Sequence, residues 1–130
     1  MDKLEKFLSQ HKRVAILGGP VTGKSIVTDH AGPREVVHSD DFQFTKNGVD
    51  WSEQSAILRD YCAGKDDFVV AGIVADRAVR KGLEVDAIIH CDEFMDHLPS
   101  NGQKVLKKQI DSRVKKLAKT ITTVKLKDLL

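Results

Sequence analysis

Gly18-Gly19-Pro20-Val21-Thr22-Gly23-Lys24-Ser25 is the stretch on which the reading of this chain turns. It fits G-x-x-x-x-G-K-[ST], the P-loop or Walker A pattern. Before it runs Arg13-Val14-Ala15-Ile16-Leu17, a short apolar segment with the composition of a strand. After it, Ile26-Val27-Thr28-Asp29-His30 can carry the first turns of a helix. Strand, glycine loop and helix N-terminus together bring several backbone N–H groups around a phosphate. Gly18 and Gly23 stand where a Cβ would obstruct the turn or the approach of the phosphates. The expectation is a nucleotide site made of Gly18, Gly19, Pro20, Val21, Thr22, Gly23, Lys24, Ser25 and Ile26. In it Lys24 bridges the β- and γ-phosphates of ATP and the Ser25 hydroxyl is a ligand of Mg²⁺. A glycine turn with a stray Gly-Lys-Ser is the competing reading, and the strand before the loop counts against it.

The chain has 130 residues, 41% hydrophobic and 31% charged, which predicts a single globular domain over 1–130 with a substantial core. A net charge of +2 singles out neither nucleic acid nor membrane as a partner. Charge is uneven, however: from Gln103 onward lysines and one arginine outnumber Asp111 and Asp128, as a solvated helix face or a phosphate-gathering lid would require. Cys62 and Cys91 lie far apart and show no zinc-site spacing, so both are expected as buried free thiols in a reducing cytoplasm. Met1 to Gln10 carries interspersed charges and no apolar core, unlike a signal peptide. No apolar run is long enough to cross a bilayer, so no membrane partner is expected.

Hydrophobic spacing lays out the remaining elements. Leu4, Phe7 and Leu8 predict an amphipathic helix over Asp2 to His11. The helix after the glycine loop must end early, at Gly32-Pro33. Glu35 to His38 reads as a second strand that delivers Ser39-Asp40-Asp41-Phe42 at its C-terminal end, where open α/β sheets bind ligands. Asn47-Gly48 signals a turn. Asp50 or Ser52 can cap a helix over Glu53 to Cys62, with Ala56, Ile57, Tyr61 and Cys62 as its apolar side. Phe68 to Gly72 and Asp86 to Cys91 are continuous apolar runs, typical of buried parallel strands. Between them Ala75 to Lys81 reads as a helix closed by Gly82. Ser100 or Asn101 can cap a long basic helix to about Lys119, with Val105, Leu106, Ile110, Val114 and Leu117 on one face. Ile121 to Leu126 is a candidate last strand. Alternation of strands and helices predicts an α/β protein, a three-layer α/β/α P-loop NTPase fold with a mostly parallel, five-stranded sheet.

A P-loop followed by a second strand ending in Ser39-Asp40-Asp41-Phe42 resembles the small-molecule, nucleoside and polynucleotide 5′-kinases of the P-loop class. Trp51-Ser52-Glu53 and Arg77-Ala78-Val79-Arg80-Lys81-Gly82-Leu83 resemble uncharacterised bacterial and phage ATP-binding proteins of the same class. The resemblance covers roughly residues 13 to 91. It implies that Asp40 faces an acceptor hydroxyl, and that a lid helix brings an arginine, here Arg113, over the transferring phosphoryl. It also implies a glutamate at the end of the third strand. This chain has Val69-Val70-Ala71-Gly72 there, and Ala71 cannot serve; Asp76 could substitute only if the following loop folds back.

The chemistry leads to the same residues. Phosphoryl transfer needs held donor phosphates, neutralised charge and an acceptor oxygen in line. Lys24 and Mg²⁺ meet the first two needs, and a carboxylate opposite the loop meets the third. Asp40 is the candidate catalytic carboxylate, with Lys24 and Arg113; Asp41 orders the loop or contacts metal through water. Arg77 and Arg80, at i and i+3, share a helix face and can bind acceptor phosphate or carboxylate, or else pair with surface acids. His38 and His90 read as strand or core histidines rather than ligands. Trp51 reads as packed on the sheet, with base stacking as the alternative. Two functions follow. One is an ATP- and Mg²⁺-dependent kinase acting on a hydroxyl of a small metabolite, nucleoside or nucleic-acid end. The other is an ATP-binding module, non-catalytic or hydrolysing, acting in signalling or assembly, which Ala71 favours. No Asn-Lys-x-Asp motif supports a GTPase. His90-Cys91-Asp92-Glu93 is a poor match to the apolar run ending Asp-Glu of an AAA-type motor.

Overall fold

The computed structural model describes residues 2–20, 22–42, 50–95 and 98–130. Val21, the Asn47-Gly48 turn and His97 therefore lie outside the described residues. Five strands form one sheet: β1 (Arg13–Gly18), β2 (Val36–His38), β3 (Phe68–Ala71), β4 (Ala87–Cys91) and β5 (Thr122–Lys125). Five helices accompany them: α1 (Lys3–Gln10), α2 (Lys24–Thr28), α3 (Trp51–Cys62), α4 (Ala75–Arg80) and α5 (Asn101–Leu117). The sheet order is β2-β3-β1-β4-β5, and every pairing is parallel.

β1 is the centre, buried from Val14 onward, and its alternating residues separate two cores. Ala15 and Leu17 face one core with Leu58 and Cys62 of α3, Ala78 and Val79 of α4, and Ile110 and Val114 of α5. Val14 and Ile16 face the other with Leu4, Phe7 and Leu8 of α1 and Val27 of α2. Each fully buried side chain of this size stabilises by roughly 1.5–3 kcal/mol, which holds the short α1 and α2 against the sheet. The chain leaves β1 through α2 on one face and leaves β3 and β4 through α4 and α5 on the other. Adjacent strands whose connections depart to opposite faces open a crevice at their C-terminal ends. Here that crevice lies beside Gly18 and Ala71.

Local chemistry accounts for the helix ends. Asp2 caps α1 by accepting from the Glu5 N–H at 2.8 Å, and Asp50 caps α3 through the N–H groups of Ser52 and Glu53. Ser100 and Gln103 make a reciprocal capping box on α5.

Two expected helix faces are corrected. α3 buries Gln54, Ser55, Leu58 and Cys62, whereas Ile57 and Tyr61 are exposed. The polar pair goes inward because Gln54 Nε2 donates to the Ser39 carbonyl at 2.6 Å, fixing the end of β2 to α3. On α5, Ile110 and Val114 are buried, Leu106 and Leu117 pack at the core margin, and Val105 is exposed. Among the described residues no helix is long and apolar enough to cross a membrane.

Candidate functional site

β1 ends at Gly18, and the loop after it is shaped by close packing on both sides. A Cβ on Gly18 would overlap the Cys91 carbonyl and lie 2.7 Å from Thr22 Oγ1; one on Gly19 would lie 2.6 Å from the Lys107 Cα of α5. Gly23, at φ +92°, starts α2 in a left-handed conformation that L side chains rarely adopt. The loop also closes on itself: the buried Thr22 donates its hydroxyl to the Gly19 carbonyl at 2.8 Å.

Lys24 lies back across this loop. Its Nζ donates to the carbonyls of Gly18 at 3.1 Å and Gly19 at 2.5 Å. Burial holds its pKa below the usual lysine value, and the nearby Cys91, Asp40 and Asp76 act in the opposite sense. Ser25, the next residue, is exposed, and Ile26 is half-buried.

Asp40 and Asp41 sit in a 3₁₀ turn, Ser39–Phe42, that follows β2 directly. Both are exposed, and Asp40 is within electrostatic reach of Lys24. The structure therefore brings the glycine loop and Asp40 to one crevice. Ser25 and Asp41 are the residues there that could hold a metal accompanying a nucleotide. Among the described residues, the tight group of ligand-type side chains is elsewhere: Asp2, Glu5 and His30, beside α1 and α2.

The end of β3 carries no acid. Ala71 is 3% exposed within the apolar core, and Gly72 turns the chain at φ +134°. Ser39 presses against that glycine so closely that a Cβ would overlap its hydroxyl. The turn leads at once into α4, whose first-turn Asp76 is fully buried. Asp76, like Asp40, is within electrostatic reach of Lys24.

Arg113, the candidate lid arginine, is held in an ion pair: its Nε donates to Asp76 Oδ2, and both side chains are largely buried. Arg77 is half-buried with its guanidinium 5.4 Å from the Trp51 ring centroid, whereas Arg80 is exposed. The two arginines thus differ in burial. Trp51 packs at the edge of the core, and no pattern in the sequence announced the cation over its face.

The basic helix is anchored rather than free at its centre. Asp111 accepts from Lys107 Nζ at 2.6 Å and lies 2.8 Å from Nε2 of the buried His90. This network flanks a hollow of about 450 Å³ between α5 and the β4–β5 edge, lined also by Asp92, Lys115 and Lys125. His90 is thus a core histidine with a polar partner, and His38 is an exposed strand end. Both cysteines are free and buried; burial pushes the Cys62 thiol up to about 11 and the Cys91 thiol to about 12. Comparison of the chain with protein-family models, curated proteins and solved structures returns no match.

Proposed function

We propose that this chain is an ATP-dependent phosphotransferase of the P-loop kind, moving the γ-phosphate to a hydroxyl of a small metabolite, nucleoside or nucleic-acid end. The observation that carries the reading is Lys24 laid along the glycine loop after β1 with Asp40, in the turn after β2, within electrostatic reach of it. Backbone N–H groups of the loop and the Lys24 ammonium bind the β- and γ-phosphates, the lysine exchanging carbonyl partners for phosphate oxygens. Mg²⁺ arriving with the nucleotide supplies charge neutralisation, and Ser25 and Asp41 would hold it. Asp40 accepts the hydrogen bond of the acceptor hydroxyl and orients its oxygen toward phosphorus. The acceptor oxygen bonds to the γ-phosphorus, the bond to the β-phosphate oxygen breaks, ADP leaves, and the hydroxyl proton passes to Asp40 and on to solvent.

A second reading, an ATP-binding module without transfer, is favoured by one observation: Ala71 places an apolar methyl where the resemblance implies an acid. One experiment separates the two. The protein is incubated with γ-labelled ATP, Mg²⁺ and a panel of nucleosides, sugars and 5′-hydroxyl oligonucleotides, beside Asp40→Ala and Lys24→Ala. Label transfer that Asp40→Ala abolishes while ATP affinity stays near that of the unmutated chain supports the kinase. ATP binding with no transfer to any acceptor supports the module. Absence of nucleotide binding by the unmutated chain overturns both.

A further inference from the structure

Buried polar atoms in folded proteins nearly always find hydrogen-bond partners, and each one left without costs about 1–3 kcal/mol. Among the described residues four buried side-chain atoms have none: Ser39 Oγ, Asp76 Oδ1, Arg77 Nε and Arg113 Nη2. They are not scattered. Ser39 lies on Gly72, Asp76 and Arg77 follow in the first turn of α4, and Arg113 is bonded to Asp76. All four therefore flank the turn after β3, beside the crevice that holds Lys24 and Asp40.

A structural ion pair alone would not leave this pattern. Arg113 uses Nε on Asp76 Oδ2, and both partners keep a second hydrogen-bonding atom free. Asp76 and Ser39 are 0% exposed, so bulk water does not reach them. The unmet demand has a definite character. Arg113 bonds Asp76 while the Arg77 guanidinium lies over Trp51, and each arginine keeps a free N–H donor suited to an anion. Asp76 Oδ1 accepts and Ser39 Oγ both donates and accepts, which suits a hydroxyl. Trp51, partly buried beside Arg77, adds an apolar surface.

We infer that Ser39, Asp76, Arg77 and Arg113 form a recognition site for a small hydroxylated anion, whose phosphate or carboxylate meets the arginines and whose hydroxyl meets Asp76 and Ser39. Binding at this cluster is independent of the kinase reading; only the assignment of the ligand as phosphoryl acceptor rests on that reading. The atoms are closed to bulk water in the ligand-free chain, and entry displaces the half-buried Arg77 from Trp51.

Isothermal titration tests this with ribose 5-phosphate, gluconate, uncharged ribose and inorganic phosphate as probes, and MgATP affinity is measured on the same samples. The expected result is saturable binding of ribose 5-phosphate, gluconate or both, weakened roughly ten- to a hundredfold in Arg77→Gln and Arg113→Gln, the loss that follows removal of a charged hydrogen bond. Lys3→Gln, which alters an exposed side chain of α1, binds as the unmutated chain does. Ribose 5-phosphate alone identifies a phosphomonoester, and gluconate alone a carboxylate. Arg77→Lys, which keeps the charge and loses the fork, replaces Arg77→Gln should the latter fail to melt cooperatively. Binding of ribose as tightly as the anions, binding of inorganic phosphate as tightly as ribose 5-phosphate, no binding at all, or equal binding by Arg77→Gln each overturns the inference. Absence of MgATP binding by the unmutated chain, with probe binding present, counts against the kinase reading instead.

Discussion

Arg113 donates its Nε hydrogen to Oδ2 of Asp76, a bond that ties the middle of α5 to the first turn of α4 across 37 residues of chain. The side chains are 15% and 1% exposed, so neither charge is well solvated. In such a pair attraction is largely offset by lost hydration, and removing one partner costs more than removing both.

Asp76→Ala should therefore destabilise the chain by roughly 3 kcal/mol, because Arg113 keeps its charge with no counter-ion. Asp76→Ala combined with Arg113→Met should recover a large part of that loss. Urea denaturation of the two single variants and the double variant forms the cycle. Additive costs would show that the two groups are energetically independent despite their contact.

The turn after β3 gives a second prediction. Gly72 and Gly64 both have positive φ, at +134° and +83°, but only Gly72 faces a neighbour, Ser39; around Gly64 a Cβ would meet nothing within 4 Å. Gly64→Ala should cost about 1 kcal/mol from backbone strain alone. Gly72→Ala adds the displacement of Ser39 and should cost roughly 3 kcal/mol or more. Equal losses in thermal melts of the two variants would mean that Ser39 yields freely.

Much of the site was legible because its parts are neighbours in sequence. Strand β1, the glycine loop and Lys24 span a dozen residues, and their pattern needs no tertiary information. Asp40 followed from the end of β2 in the same way. What escaped the pattern are approaches between distant segments: Lys107 on Gly19, Ser39 on Gly72, Arg113 on Asp76. Arg113 read as a lid residue because nothing local to α5 shows that a carboxylate from α4 reaches it. The burial of Gln54 and Ser55 escaped for a related reason: a helix face is read by its apolar residues, and here a polar one is drawn in by the Ser39 carbonyl.

Gly19→Ala tests the approach of α5 to the loop. The added methyl would fall 2.6 Å from the Lys107 Cα, so the loop or the helix must shift. The cost should be about 1–3 kcal/mol in stability, the usual range for overpacking. If the chain binds nucleotide as proposed, that affinity should fall too, because the phosphates would then lie on the amides of the moved loop. A variant with full stability and unchanged affinity would show that Lys107 does not set the loop.

Thiol chemistry provides an independent readout of the core. With the Cys62 and Cys91 thiols raised to about 11 and about 12 by burial, neither ionises appreciably at pH 8. Labelling with iodoacetamide at pH 8 should leave both unmodified in the folded chain and modify both in urea. Unfolded thiols ionise near 9, so the folded state binds more protons above that pH. This contribution to stability is complete below pH 9 and is lost as pH rises through the folded values. Rapid labelling of the native chain would show that a thiol is accessible.

Lys24 should couple stability and ligand affinity in opposite directions. Burial lowers its pKa in the folded chain below the ordinary 10.5. Between the lowered value and 10.5 the unfolded chain binds more protons, so stability rises with pH across that window, and the full cost of burying the ammonium applies below it. In a Cys91→Ala background, which removes the thiol coupled to Lys24, the stability of the chain with Lys24 relative to Lys24→Met should therefore increase as pH is raised from 7 toward 10.5; the effect of Cys62 is common to both chains and cancels in the difference. Phosphate binding needs the charged lysine, so MgATP affinity should fall over the same window. At pH 7, Lys24→Met should bind MgATP roughly ten- to a hundredfold more weakly, the loss expected for a charged hydrogen bond. Urea denaturation and nucleotide titration at pH 7 and pH 10 measure both trends. Stability that does not rise with pH would mean that the ammonium is not desolvated in the folded chain, and affinity that does not fall would mean that it is not used on the phosphates.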